Sequence, residues 1–117
     1  MSELLAVVDL GSTAVRLLLA RIKPHVGYRV LVEERVPTRL GGGAPGTLPR
    51  EAIDKTLRAV HRFLARYSRK DRGPRVVAVA TSAVRDARNR PSSCRGGLVT
   101  PPWPVERSWR RPTGRST

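Results

Sequence analysis

Asp9, Gly11, Ser12 and Thr13 form a small polar knot between two apolar runs, in "AVVDLGSTAVRLLLA" (6–20). A bland hairpin tip needs nothing more than Asn-Gly. A carboxylate, a glycine and two hydroxyls within five residues are equipped for more. Glycine lets the backbone come close to a ligand and tolerates positive φ. The successive N–H groups of Gly11, Ser12 and Thr13 can make an anion-binding nest, and the two hydroxyls add donors. Asp9 repels phosphate. In such a site it would hold a divalent cation, directly or through water, or orient an attacking water. The same residues also serve an ordinary turn, and spacing alone does not separate the two readings.

A second constellation lies in "ATSAVRDARN" (80–89). Thr81 and Ser82 follow a strand-like run, and Arg85 falls one turn into a helix. Ligands of open α/β sheets sit at the carboxyl ends of strands. A helix N-terminus there favours anions, and an arginine can clamp a phosphate oxygen. The plain alternative is a capped helix with Arg85 in solvent. If the strands before Gly11 and Thr81 pair side by side, both groups share one rim.

The elements that must position them are legible over residues 1–89. The runs at 4–10 and 14–22 are continuously apolar, as in buried strands, and 27–38 alternates as a half-exposed strand. A glycine- and proline-rich loop covers 40–49. Ile53, Leu57, Val60, Leu64 and Tyr67 recur at helical spacing, and Pro49, Glu51 and Asp54 suit that helix's N-terminal end. "RVVAVAT" (75–81) reads as a buried strand. Residues 82–89 begin a second short helix, with Thr81 or Ser82 as its N-cap. The order β-β-β-α-β-α makes this an α/β chain. Its first three strands are antiparallel, and the fourth lies parallel to the first.

Residues 90–117 break the pattern. They carry five of the ten prolines and both tryptophans, Trp103 and Trp109, with neither helix nor strand period. The expectation is an unstructured Pro/Arg-rich tail.

Composition bounds the function classes. The chain has 117 residues and a net charge of +14, and 20 of its 23 basic residues are arginine. Such charge fits nonspecific binding of nucleic acid or another polyanion. It fits a GC-rich coding sequence better, because the basic residues are spread along the chain. Aromatic residues are too few for a base-stacking platform. One cysteine, Cys94, excludes an intrachain disulfide, and His25 and His61 lack metal-ligand spacing. No apolar run is long enough to span a membrane, and no signal peptide opens the chain, so a cytoplasmic protein is expected.

Three segments in register, "VDLGSTAVRLLLA", "TRLGGG" (38–43) and "AVATSAVRDARN" (78–89), resemble the opening of the exopolyphosphatase/guanosine pentaphosphate phosphohydrolase (Ppx/GppA) family. The resemblance covers about residues 5–89. It implies part of a ribonuclease-H-like domain of the actin/Hsp70 ATPase superfamily, acting with Mg²⁺ on phosphoanhydride bonds of polyphosphate or guanosine pentaphosphate. By it, Asp9, Gly11, Ser12 and Thr13 correspond to the first phosphate-binding loop. Thr13 and Ala14 stand where the family usually has Asn and Ser. Arg39, Leu40 and Gly41 match the "TRLG" segment, with Gly42 in place of a common Glu. Thr81, Ser82, Arg85 and Asn89 match the third motif, whose arginine faces the cleft.

The family's catalytic glutamate segment, "SGxEEA", and its second phosphate loop, "DxGGGS", have no counterpart among the 117 residues. The one acid after Asp86 is Glu106, in an unrelated context. The expectation is therefore a truncated domain that is inactive alone. A frameshift near Arg90 accounts for the change of character. Ser92-Ser93-Cys94 written AGT-TCC-TGC after a codon ending in G reads Glu-Phe-Leu in the shifted frame, as the family would continue. A natural truncation with an unrelated tail is the other explanation.

Overall fold

A computed structural model describes residues 3–67, 74–91, 94–95 and 98–99. The apolar run near the N-terminus becomes β1 (Glu3–Leu10), at the middle of a mixed sheet. It pairs antiparallel with β2 (Ala14–Lys23), which pairs antiparallel with β3 (Gly27–Pro37) at the edge. The 18-residue helix α1 (Arg50–Tyr67) leads from β3 back across two strands to β4 (Arg75–Ala80), which lies parallel to β1. The order of elements expected from the sequence is the order found.

One face of the sheet carries the core. Ala6, Val8 and Leu10 of β1 align with Leu19, Leu17 and Val15 of β2 and with Val76, Ala78 and Ala80 of β4. All except the half-buried Val76 are buried, and they pack with the α1 residues Ile53, Val60 and Phe63. The helix face is rotated from the expected stripe. Thr56 and Phe63 are fully inside, whereas Leu57, Leu64 and Tyr67 are half-buried at its flank. Thr56 is tolerated there because its hydroxyl donates to the Ala52 carbonyl at 2.8 Å.

The alternation expected for β3 also changes along its length. A register shift opposite Leu19/Ala20 brings Val32 level with Leu19 on the α1 face, while Val30 lies level with Ala20. One extra residue moves every following side chain to the other face. Tyr28 and Val30 are thus exposed, and Val32 and Val36 join the core.

Two further expectations need correction. Helical structure after β4 is a single turn, α2 (Ser82–Arg85), not a helix through residue 89. The residues that would continue it are bonded elsewhere, as described below. Nor are the described residues after 90 without regular structure. Two short strands, β5 (Cys94–Arg95) and β6 (Leu98–Val99), pair with each other, and β6 pairs antiparallel with β4. Pro91, Cys94 and Val99 are buried. Cys94 and Val99 join the core, Val99 level with Ala78, at an edge that a purely polar linker would leave open. Trp103, Trp109 and Glu106 lie outside the described residues.

The opposite sheet face is half-open. Leu5, Val7, Leu18, Ile22 and Val77 are half-buried and Val79 is exposed, with no described helix over them. Two concavities of about 410 and 560 Å³ lie around the β2–β3 turn, at the end of the sheet remote from Gly11.

Candidate functional site

The sheet topology gathers three loops on one rim. β1, β3 and β4 run in the same direction, so residues 11–13, 38–49 and 81–91 all follow carboxyl ends of neighbouring strands. Leu10 is level with Ala80 across the parallel pair. Thr81 ties the two ends together: its N–H and its hydroxyl both donate to the Leu10 carbonyl, at 3.1 and 3.2 Å. Thr81 is also the N-cap of α2, yet its hydroxyl makes no cap bond, being already spent on Leu10. Ser82 and Arg85 follow within this single turn and are exposed. So short a helix adds little dipole, which accumulates over aligned peptides. What Arg85 brings to the rim is its own charge. Its Nε lies 3.5 Å from the Asp86 carboxylate, with both side chains exposed, a pairing that holds it weakly.

The β1–β2 turn is built so that its carbonyls are occupied and its donors are left over. The Ser12 carbonyl accepts from Gly41 N–H at 2.8 Å, and the Thr13 carbonyl accepts from Thr38 and Arg39 N–H at 3.1 and 3.0 Å. Among the described residues, the N–H groups and hydroxyls of Ser12 and Thr13 have no partner, and both residues are exposed. Gly11 differs from its expected part. Its N–H is held within the turn by the Asp9 and Ala14 carbonyls, at 3.2 and 3.1 Å, so it offers no donor outward. Nor is its φ positive. Glycine is needed because a Cβ there would sit 2.8 Å from the Ala14 carbonyl oxygen. Asp9 is half-buried on the open sheet face, and its carboxylate bonds to no described residue.

The loop that occupies those carbonyls is itself fixed. Leu40–Gly42 forms a 3-10 turn with Leu40 buried, and α2 packs against it. Gly41 lies so close to Ser12 that a Cβ would be 2.9 Å from the serine Cβ. Arg39, just before this turn, has φ 56° and ψ 46°, a left-handed conformation that costs a non-glycine residue about 1–3 kcal/mol. Asn89 anchors the far end of the loop. Its amide accepts from the Leu48 N–H at 2.8 Å and donates to the Leu48 carbonyl at 2.9 Å. Arg88 adds its N–H to the Gly46 carbonyl and its guanidinium to the Thr47 hydroxyl. These bonds hold residues 88 and 89 to the loop rather than to the next helical turn. The bracing by Thr38, Arg39, Gly41 and Asn89 was missed in reading the site from sequence. The motif matches at Arg39, Gly41 and Asn89 and the run of glycines at 41–43 marked these positions without showing the contacts they make.

Solved structures share this fold. A Ppx/GppA family member from Aquifex aeolicus superposes with a TM-score of 0.64 at 31% identity, over 76% of this chain and 29% of that one. The chain resembles the Ppx/GppA family over about three quarters of its own length. An exopolyphosphatase from Cytophaga hutchinsonii superposes with a TM-score of 0.60 at 28% identity, over 75% of this chain and 28% of its own. An exopolyphosphatase-like protein gives 0.61 at 29% identity, over 75% and 27%. The chain thus spans less than a third of the length of the Ppx/GppA proteins it matches. No family model matches it. Among the described residues, no helix is long and apolar enough to cross a membrane. Among the described residues, no group of three or more His, Cys, Asp or Glu side chains is placed to hold a metal ion.

Proposed function

We propose that this rim binds an oligophosphate anion, and that the 117-residue chain alone does not hydrolyse it. The observation that carries the reading is the polarity of the β1–β2 turn. Its Ser12 and Thr13 carbonyls are occupied from behind, while its N–H groups and hydroxyls remain as donors beside Arg85. Consecutive free N–H groups bind anions without a charged side chain, and an adjacent arginine strengthens the hold. Likeness to a protein named as an exopolyphosphatase supports phosphate as the anion.

Mg²⁺ fits the donor set in one way. No preformed cage is present among the described residues, but Mg²⁺ is commonly held by one or two carboxylates together with substrate phosphates and water. Asp9, two residues before Gly11 and bonded to no described side chain, is the carboxylate that would hold it. The ion would neutralise charge on the phosphoryl oxygens. The chain's own residues then bind and orient: Ser12 and Thr13 fix one phosphate, Arg85 takes an oxygen of it, and Thr81 keeps the two loops level.

Turnover needs a base for the attacking water and donors on the far side of the anion. The family segments that, by the resemblance, would supply them have no counterpart among the 117 residues. Loss of a general base alone costs about 10²–10⁴ in rate. The test is phosphate release from long-chain polyphosphate with Mg²⁺, beside an Asp9→Ala control. The two proteins should give the same background, and release well above the control would overturn the inactivity. The net charge of +14 favours one competing reading, nonspecific binding of nucleic acid. That binding weakens steeply with salt and is indifferent to Ser12. An oligophosphate site loses affinity in Ser12→Ala and in Arg85→Ala.

A further inference from the structure

Arg39 holds a backbone conformation that glycine adopts freely and arginine does not. Three glycines follow at 41–43, and none of them has positive φ. The loop is rich in glycine yet places arginine at its left-handed position. The backbone there is pinned at both ends: the Arg39 N–H donates to the Thr13 carbonyl at 3.0 Å, and the Arg39 carbonyl accepts from Gly42 N–H at 3.0 Å. Its side chain is exposed and bonds to no described residue. Other arginines are engaged, Arg16 with Glu33, Arg66 with Glu34 and Arg75 with Glu3. An unpaired guanidinium is therefore tethered directly to the residue whose N–H is free.

Resting on the oligophosphate reading above, we propose that Arg39 is a specificity-determining residue. Its guanidinium takes a second phosphate group when the first lies on the Ser12 and Thr13 N–H groups. Arg85 reaches the same anion from the α2 side, because α2 packs against the turn that Arg39 precedes. The site then distinguishes linked phosphates from a single one. A guanidinium presents two parallel donors to a phosphate, which a hydrated lysine ammonium does not match.

The experiment is titration calorimetry of the full chain with orthophosphate and with tripolyphosphate, on the unmodified protein, Arg39→Gly, Arg39→Lys and Ser12→Ala. In Arg39→Gly, tripolyphosphate affinity should fall about tenfold while orthophosphate affinity holds within about twofold. Its thermal midpoint should not fall, since glycine relieves the left-handed backbone. Arg39→Lys should recover part of the preference. A purely structural role for Arg39 would weaken both ligands together and would overturn the proposal. So would an Arg39→Gly protein that keeps its preference while Ser12→Ala loses affinity, which leaves the anion site standing. If the unmodified chain binds neither ligand, the oligophosphate reading itself is wrong, and the role of Arg39 goes with it.

Discussion

The side-chain amide of Asn89 pairs with both backbone groups of Leu48, accepting from its N–H at 2.8 Å and donating to its carbonyl at 2.9 Å. Forty-one residues separate the two in sequence. The pairing copies one rung of a strand ladder with a side chain, and it closes the loop that begins at Thr38. Asn89→Ala leaves the partly buried N–H and carbonyl of Leu48 without these partners. The expected cost is about 1–3 kcal/mol, a fall of several degrees or more in thermal midpoint for a domain of this size. Asn89→Asp keeps the acceptor but sets a carboxylate against the Leu48 carbonyl, so it should recover little. A thermal melt of either variant that matched the unmodified chain would show that the loop is held by other contacts.

The glycines of the rim are not equivalent, and substitution should sort them. A Cβ at Gly11 meets the Ala14 backbone oxygen at 2.8 Å, and one at Gly41 meets the Ser12 Cβ at 2.9 Å. Neither neighbour is the end of a flexible side chain, so the turn must move. Gly11→Ala and Gly41→Ala should each lose about 1–3 kcal/mol and weaken tripolyphosphate binding. At Gly42 the nearest atom is 3.7 Å away, an ordinary contact, so Gly42→Ala should be stable and bind normally. Equal melts and affinities across all three variants would contradict the close approach of loop 38–42 to the β1–β2 turn.

Much of this frame was legible in the sequence because its signals are local. The apolar runs at 4–10 and 14–22, the helical period over 53–67 and the carboxyl-end position of Thr81 follow from side-chain periodicity. The structure brings residues 11–13 and 81–85 to one rim, as the pairing of their strands implied. What escaped depends on distant contacts. The shift opposite Leu19/Ala20 is invisible in either strand alone. Phe63 lies beside the expected stripe, and the rotation of α1 that buries it is set by the sheet beneath. Arg88 and Asn89 look like helix formers in context, and only the far-off Leu48 explains why they leave the helix. Gly11 reads from sequence as a donor or a positive-φ residue, when the approach of the Ala14 carbonyl is what excludes a side chain.

Cys94 reports on the packing of β5, where the sequence reads as an unpatterned tail. It is buried, and burial pushes its thiol pKa up, opposed in smaller part by the charges of Arg90 and Arg85. A raised pKa means less thiolate at any given pH, and thiolate is the reactive form. Labelling by a disulfide reagent at pH 8 should run well below the rate of a free cysteine, rise as pH increases and speed up in denaturant. Free-thiol kinetics in native buffer would mean that Cys94 and Val99 do not pack into the core.

The central claim is that Ser12 and Thr13 present free N–H groups to a phosphate anion. The most direct measurement is amide chemical-shift titration of ¹⁵N-labelled protein with tripolyphosphate at physiological salt, repeated in excess duplex DNA. The account predicts saturable shifts largest at the Ser12 and Thr13 amides, with smaller changes at Arg39 and Arg85 and little effect of the DNA. Shifts scattered over the arginines of α1 and β3, abolished by DNA and absent at Ser12 and Thr13, would contradict it.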